Sequence, residues 1–395
     1  MAAISRFFEP PRLRTLADEE EERRATWLEL FFDLVFVVAI AALGQNLGHE
    51  ATFVGFLKFL ALFVPVWWAW MGFTFYANRF DTDDLPYRLL ILLAMLGVAA
   101  LSTTVTDAFS GGSRGFALAY VSVRLVLLVL YARAIKHVEP ARKLATLYFC
   151  AFGAAVVVWL SSLLVAEPAR YWLWALALAI ELTAPLFGWR LIPKAPVDPR
   201  HAPERLGLLT IIVLGESVFA VVLGVQGVSW NASSLLAALA GFLCAASLWW
   251  IYFEFDNPEF LLSSLHEGRR LLGGLVFTYG HFPIIVGLAA LGIGVKLAIL
   301  SAGGDAHYDE TAWVLCAGLA LTMGGLTAIE LVTPPIGLGT DVWLRLGTAA
   351  LAVALIPFTS VLSPVAIVWI LAAVLVVQVV FELAGHDEHA APGSI

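Results

Sequence analysis

Apolar stretches, broken at short intervals by polar or Gly- and Pro-rich segments, run along nearly the whole 395-residue chain. A helix crosses the hydrocarbon of a bilayer with roughly 20 apolar residues at 1.5 Å rise each. Stretches of that kind fall near 27–47, 52–76, 88–107, 115–134, 144–166, 171–190, 207–227, 232–255, 271–297, 311–332, 342–361 and 364–383. The connections between them are short, such as SGGSRG at 110–115 and IPKAPVDPRHAPER at 192–205, and none can form a separate soluble domain. The pattern predicts an all-α integral membrane protein with about twelve transmembrane helices.

Composition narrows the class. Hydrophobic residues make up 61% of the chain and charged residues 14%, with a mean hydropathy of +0.87, a balance foreign to soluble domains. The net charge of −8 and the lack of a basic face argue against nucleic-acid binding. Cys150, Cys244 and Cys316 all sit inside expected spans without CxxC spacing, so they read as small packing residues rather than a disulfide or metal framework.

Basic residues orient the chain. Arg6, Arg12, Arg14, Arg23 and Arg24, then Arg79 and Arg88, Arg133 to Lys143, Arg190 to Arg205, Arg269, Arg270 and Arg345 crowd one set of alternate loops. Only Arg114 and Arg170 fall in loops of the other set. By the positive-inside rule, the polar segment 1–26 and the tail 386–395 are both cytoplasmic. Residues 1–26 lack the apolar core of a signal peptide, so the first span is expected to act as the targeting signal.

Setting Asp33 against Glu216 aligns DLVFVVAIAALGQ with ESVFAVVLGVQG, and Trp67-Trp68 then meets Trp249-Trp250 at nearly the same offset. This predicts two parallel six-helix repeats, 27–195 and 196–385, related by an axis along the membrane normal.

Ionisable groups inside the spans are the chemistry-bearing features, because each is costly in hydrocarbon unless paired, hydrogen-bonded or protonated. Glu29 and Asp33 stand at i and i+4 and share a helix face. Glu216 and Arg124 sit near the middle of their spans, which makes Asp33 or Glu216 the expected partner of Arg124. His281 precedes Pro283, a residue that removes a helix hydrogen bond. Together, Glu29, Asp33, Arg124, Glu216 and His281 form the candidate pathway for a proton, small ion or solute. Each also has a structural reading: Asp33, Glu216 and Arg124 can lock the bundle, Glu29 can pair near the interface, and His281 can be a satisfied core residue. The WWAW run at 67–70 and the tryptophan pair at 249–250 read as an interfacial aromatic belt. Asp305, His307, Asp309 and Glu310, and the tail His386 to His389, lack a spacing that demands a metal. No resident metal or cofactor is expected.

Glu29-Leu-Phe-Phe-Asp33-Leu-Val-Phe36 after Arg23-Arg24, together with Glu204-Arg205-Leu-Gly207-Leu-Leu-Thr210-Ile-Ile-Val-Leu-Gly215-Glu216-Ser217, resembles the signature of the bacterial low temperature requirement protein A family. The likeness extends from about residue 24 to 385. It implies a multi-pass protein of the bacterial cytoplasmic membrane and carries no biochemical activity. Phe32-Asp33 to Phe36 is also similar to a first-helix motif of lysosomal-type potassium channels, with Phe32 in place of a serine. The polar groups themselves point first to a proton-coupled secondary transporter, then to an ion channel. A membrane-embedded sensor or enzyme ranks last, because no nucleophile and base or phosphate-cradling loop is present. The bilayer is the expected partner, and a homo-oligomer is compatible with the sequence.

Overall fold

The computed structural model describes residues 9–13, 25–198, 200–228, 231–254, 270–304, 311–333 and 339–390. The loop acids at 305–310, and Arg6, Arg14, Arg23, Arg24 and Arg269, lie outside the described residues, as do the side chains of 386–389. Among the described residues, twelve helices are long and apolar enough to cross a membrane, and the chain is an all-α polytopic membrane protein. They are α1 (Trp27–His49), α2 (Phe53–Arg79), α3 (Leu85–Thr104), α4 (Ser113–His137), α5 (Arg142–Ser162) and α6 (Ala169–Gly188). Then follow α7 (His201–Gln226), α8 (Ala232–Phe253), α9 (Arg270–Ala302), α10 (Trp313–Glu330), α11 (Thr340–Leu355) and α12 (Pro364–Ala390). A two-residue antiparallel pairing of Arg12–Leu13 with Phe80–Asp81 ties an early segment to the end of α2.

Helix faces follow the 3.6-residue period. On α1, Phe31, Leu34 and Val38 are exposed, whereas Glu29, Phe32, Asp33, Phe36 and Ile40 are buried. An apolar face with no protein neighbour suits lipid, while the buried face carries both acids.

The chain divides into two compact units. The first comprises residues 1–43 and 58–208, the second 44–57 and 209–395. In the first, α3, α4, α5 and α6 pack in chain order. In the second, α9 packs on α10, α10 on α11, and α8 against both α9 and α12. Close packing of α9 on α10 depends on missing side chains: a Cβ on Gly287 would lie 2.5 Å from the Gly318 carbonyl oxygen and 2.4 Å from Thr322 Oγ1. Small residues that let helix backbones meet are the usual means of association where lipid is as apolar as leucine.

The boundary difference from the sequence expectation that bears on the site lies at α7, which starts at His201 rather than near 207. Asp198 Oδ1 accepts from the backbone N–H groups of Arg200 and His201 at 2.9 and 3.2 Å, satisfying donors that the first turn leaves free. Pro203 is tolerated because a first-turn N–H has no intrahelical partner. Hydropathy alone misses this polar turn, yet it carries His201 and Arg205 into the helix.

Candidate functional site

Three helices of the first unit each present polar side chains one turn apart. On α1 they are Glu29 and Asp33, on α2 Trp70, Thr74 and Asn78, and on α7 His201 and Arg205. Spacing of i, i+4 puts each set on one face, and the three faces meet in a buried seam.

Glu29 first serves its own helix. Thr26 and Glu29 form a reciprocal capping pair, Thr26 N–H donating to Glu29 Oε2 at 2.8 Å and Glu29 N–H donating to Thr26 Oγ1 at 3.2 Å, the T-x-x-E arrangement of helix starts. Its other carboxylate oxygen, Oε1, lies 3.2 Å from an Arg205 guanidinium nitrogen. The second terminal nitrogen of Arg205 donates to Asp33 Oδ1 at 2.5 Å. Trp70 Nε1–H donates to the same Asp33 oxygen at 2.7 Å, and the guanidinium lies 5.8 Å from the Trp70 ring centroid. One arginine thus bridges two carboxylates, and Glu29, Asp33 and Arg205 are all at least 95% buried.

His201 completes the cluster. Its Nε2 lies 3.6 Å from Glu29 Oε2, and its Nδ1 lies 3.4 Å from the amide nitrogen of Asn78. Asn78 in turn donates to the Asp198 carbonyl at 3.1 Å and accepts from Asp198 N–H at 2.6 Å, clamping the start of α7 against α2. Among the described residues, Asp33 Oδ2 and Arg205 Nε have no hydrogen-bond partner. A small cavity of about 10 Å³ opens beside Glu29 and Arg205, walled by Leu28, Phe32, Phe73, Ala77, Tyr87 and Ile91. That is room for about one water molecule.

A second buried cluster in the same unit holds Arg124, about halfway along α4. Arg124 pairs with Glu181 of α6, and its Nε and a terminal nitrogen both donate to Tyr120 Oη, at 2.9 and 2.6 Å. Tyr120 O–H donates to Glu181 Oε2 at 2.7 Å. The guanidinium also lies over the Tyr120 and Phe152 rings. All three polar side chains belong to residues with no solvent exposure. Gly72 of α2 makes room for the cation, since a Cβ there would lie 2.9 Å from an Arg124 terminal nitrogen. The expectation that Arg124 pairs with Asp33 or Glu216 is therefore corrected. Helix rotation turns Arg124 toward α6, and Asp33 is engaged by Arg205 instead.

The remaining candidates separate. Glu216 sits in the second unit on α7, partly exposed, with Lys296 of α9 as an opposite charge acting on it. The neighbouring Ser217 hydroxyl lies 3.1 Å from the carbonyls of Val213 and Leu288 and ties α7 to α9. His281, fully buried, places Nδ1 2.6 Å from the Phe277 carbonyl and Nε2 2.9 Å from Tyr252 Oη. A carbonyl can only accept, so Nδ1 carries the proton, and both ring nitrogens are engaged. Trp67, Trp68 and Trp70 are 4% exposed or less, which corrects their reading as an interfacial belt; they fill the interior, where Trp70 serves Asp33. Trp249 and Trp250 are exposed, as belt residues would be.

Sequence reasoning missed Arg205, His201, Trp70 and Asn78 as site residues. A signal was available: two acids on one face require a cation, and His201 and Arg205 repeat the i, i+4 spacing.

The fold and this seam define a polytopic helical membrane protein with an intramembrane acid–arginine cluster. The sequence profile of the bacterial low temperature requirement A protein (LtrA) matches residues 24–380. The chain belongs to the LtrA family. Among curated proteins it is similar to the uncharacterized protein RA0937 of Rhizobium meliloti (strain 1021), 27% identical over 299 residues that cover 71% of each chain.

Proposed function

We propose that the protein is a proton-coupled secondary transporter of the bacterial cytoplasmic membrane, with both termini cytoplasmic, and that the Glu29–Asp33–Arg205–His201 cluster is its proton site. The observation that carries this reading is one guanidinium divided between two buried carboxylates beside a water-sized cavity. Asp33 Oδ2 has no hydrogen-bond partner among the described residues. Buried acids that share one cation at close range are suited to take up and release a proton as their surroundings change. His201 stands beside the pair, 3.6 Å from Glu29. The 10 Å³ cavity suits a water or a proton relay and is too small for an organic solute in this conformation.

The roles divide by geometry. Arg205 holds Glu29 and Asp33 together, Trp70 fixes the Asp33 oxygen that Arg205 uses, and Asn78 sets the rotation of the α7 start. Coupling would follow from any motion of α7 against α1 that moves Arg205 away from one acid. Reconstituted protein with a trapped pH dye and an imposed potential tests the reading. Wild type is expected to carry protons and Asp33→Asn is expected to lose the flux while keeping its fold. Steady single-channel currents through wild type would instead favour a pore.

A further inference from the structure

The connection between α2 and α3 closes over a further set of polar groups in the first unit. Asp84 caps α3, its Oδ1 accepting from Tyr87 N–H at 3.0 Å. Its other carboxylate oxygen accepts from a terminal nitrogen of Arg133, on α4, at 2.6 Å. The Asp84 side chain is almost fully buried, whereas that of Arg133, about one turn from the end of α4, is 20% exposed. The pair thus stands at the step from solvent to interior.

Two tyrosines stand behind it. The Tyr76 ring of α2 meets Tyr131 of α4 edge-on at 5.4 Å and stacks on Tyr87 at 6.4 Å between centroids. Arg133 and Asp84 both act on Tyr76 electrostatically. Tyr76 has no solvent exposure, yet its hydroxyl has no hydrogen-bond partner among the described residues. The same holds for Arg133 Nη1 and for the hydroxyl of Thr82, two residues before Asp84. Polar groups buried close together without protein partners are ordinarily met by water. Tyr87 in turn walls the small cavity beside Glu29 and Arg205, as does Ala77, the residue after Tyr76. Surface ion pair, unpartnered hydroxyl and cavity therefore follow one another inward.

We propose that this run is the water inlet of the acid–arginine seam. Water enters past the Asp84–Arg133 pair, bridges Arg133 Nη1 to the Tyr76 hydroxyl, and continues along Tyr87 to the cavity at Glu29. On the reading of the seam as a proton site, this is the route by which Glu29 is loaded. Each water or hydroxyl oxygen on the route accepts a proton from the outer side and releases its own to the next. Glu29 gains one proton, solvent loses one, and the tyrosine hydroxyls end as they began. The Asp84–Arg133 pair is the gate, because it closes the outer end and its arginine is the most exposed group of the run.

Hydroxyl-radical footprinting in lipid nanodiscs, read by mass spectrometry, marks side chains in contact with water. Wild type is expected to be oxidised at Tyr76 and Tyr87, while Tyr120, equally buried but bonded to Arg124 and Glu181, stays unmodified. Asp84→Asn keeps a cap acceptor, loosens Arg133, and is expected to raise Tyr76 labelling several-fold. Tyr76→Phe keeps the ring and is expected to lower proton flux several-fold. Should Asp84→Asn not fold, wild-type labelling and the Tyr76→Phe flux decide. Tyr76 and Tyr87 left unlabelled in wild type, or labelling indifferent to a folded Asp84→Asn, would overturn the inlet. Flux unchanged in Tyr76→Phe would overturn it as the proton route. Wild type that carries no protons, yet shows Tyr76 labelling that rises in Asp84→Asn, would remove the transporter reading and leave the water site standing.

Discussion

Two of the buried arginines of the first unit, Arg124 and Arg205, are solved in opposite ways. Arg124 sits halfway along its helix, meets one carboxylate and one phenol, and is roofed by aromatic rings. Arg205 sits one turn from the start of α7, divides its guanidinium between two carboxylates, and borders a cavity with a histidine nearby. The first is one cation with one anion, sealed. The second is one cation with two acids. An ion pair that meets one partner stabilises a single arrangement, whereas a cation shared between two acids leaves more than one arrangement within reach. Arg124 and Glu181 are thus suited to holding α4 and α6 together, and the Arg205 cluster to changing state.

Breaking the sealed pair should cost the most stability. Glu181→Leu leaves Arg124 buried without its counter-charge, a loss of about 3–5 kcal/mol, read as a lower thermal midpoint in detergent. Flux per folded molecule should be unchanged. Asp33→Asn should cost less, about 1–3 kcal/mol, because Arg205 keeps Glu29, yet it should abolish flux. Trp70→Phe removes one donor to Asp33 and fills nearly the same space. It should lower stability by about 1 kcal/mol and reduce flux without ending it. If Glu181→Leu ended flux while Asp33→Asn spared it, the two clusters would have to exchange roles.

The smallest effect is expected outside the spans. The Ser113 hydroxyl donates to Glu167, and Arg170 lies 3.4 Å from the same oxygen; the Ser113 hydroxyl first, then Tyr171, and Arg170 after them, hold the Glu167 carboxyl below the ordinary carboxylate range. A depressed value contributes stability above the unfolded value, and that contribution fades as pH falls through the folded one. Thermal midpoints of wild type and Glu167→Gln should therefore differ slightly at neutral pH and converge in acid.

Much of the fold was legible because span length and hydropathy are properties of short stretches. The twelve spans of the expectation correspond to the twelve helices found. What hydropathy does not encode is rotation. Asp33 and Arg124 were both visible as costly charges, but which faced which depends on packing between helices far apart in sequence. Only the turn of α4 toward α6 makes Glu181 the partner of Arg124. Arg205 escaped for another reason. Its helix begins with a polar turn, capped by Asp198 and containing Pro203, and a hydropathy window reads such a turn as loop. Trp70 was hidden among neighbours that look like a belt, because the indole N–H that bonds Asp33 has no signature in a run of tryptophans.

Proton flux in proteoliposomes, compared for wild type, Asp33→Asn and Glu181→Leu and normalised to folded protein, bears most directly on the proposed division of roles. The prediction is flux in wild type and Glu181→Leu, and none in Asp33→Asn. Flux that survives in Asp33→Asn, with the variant folded, would contradict the assignment of the Arg205 cluster as the proton site.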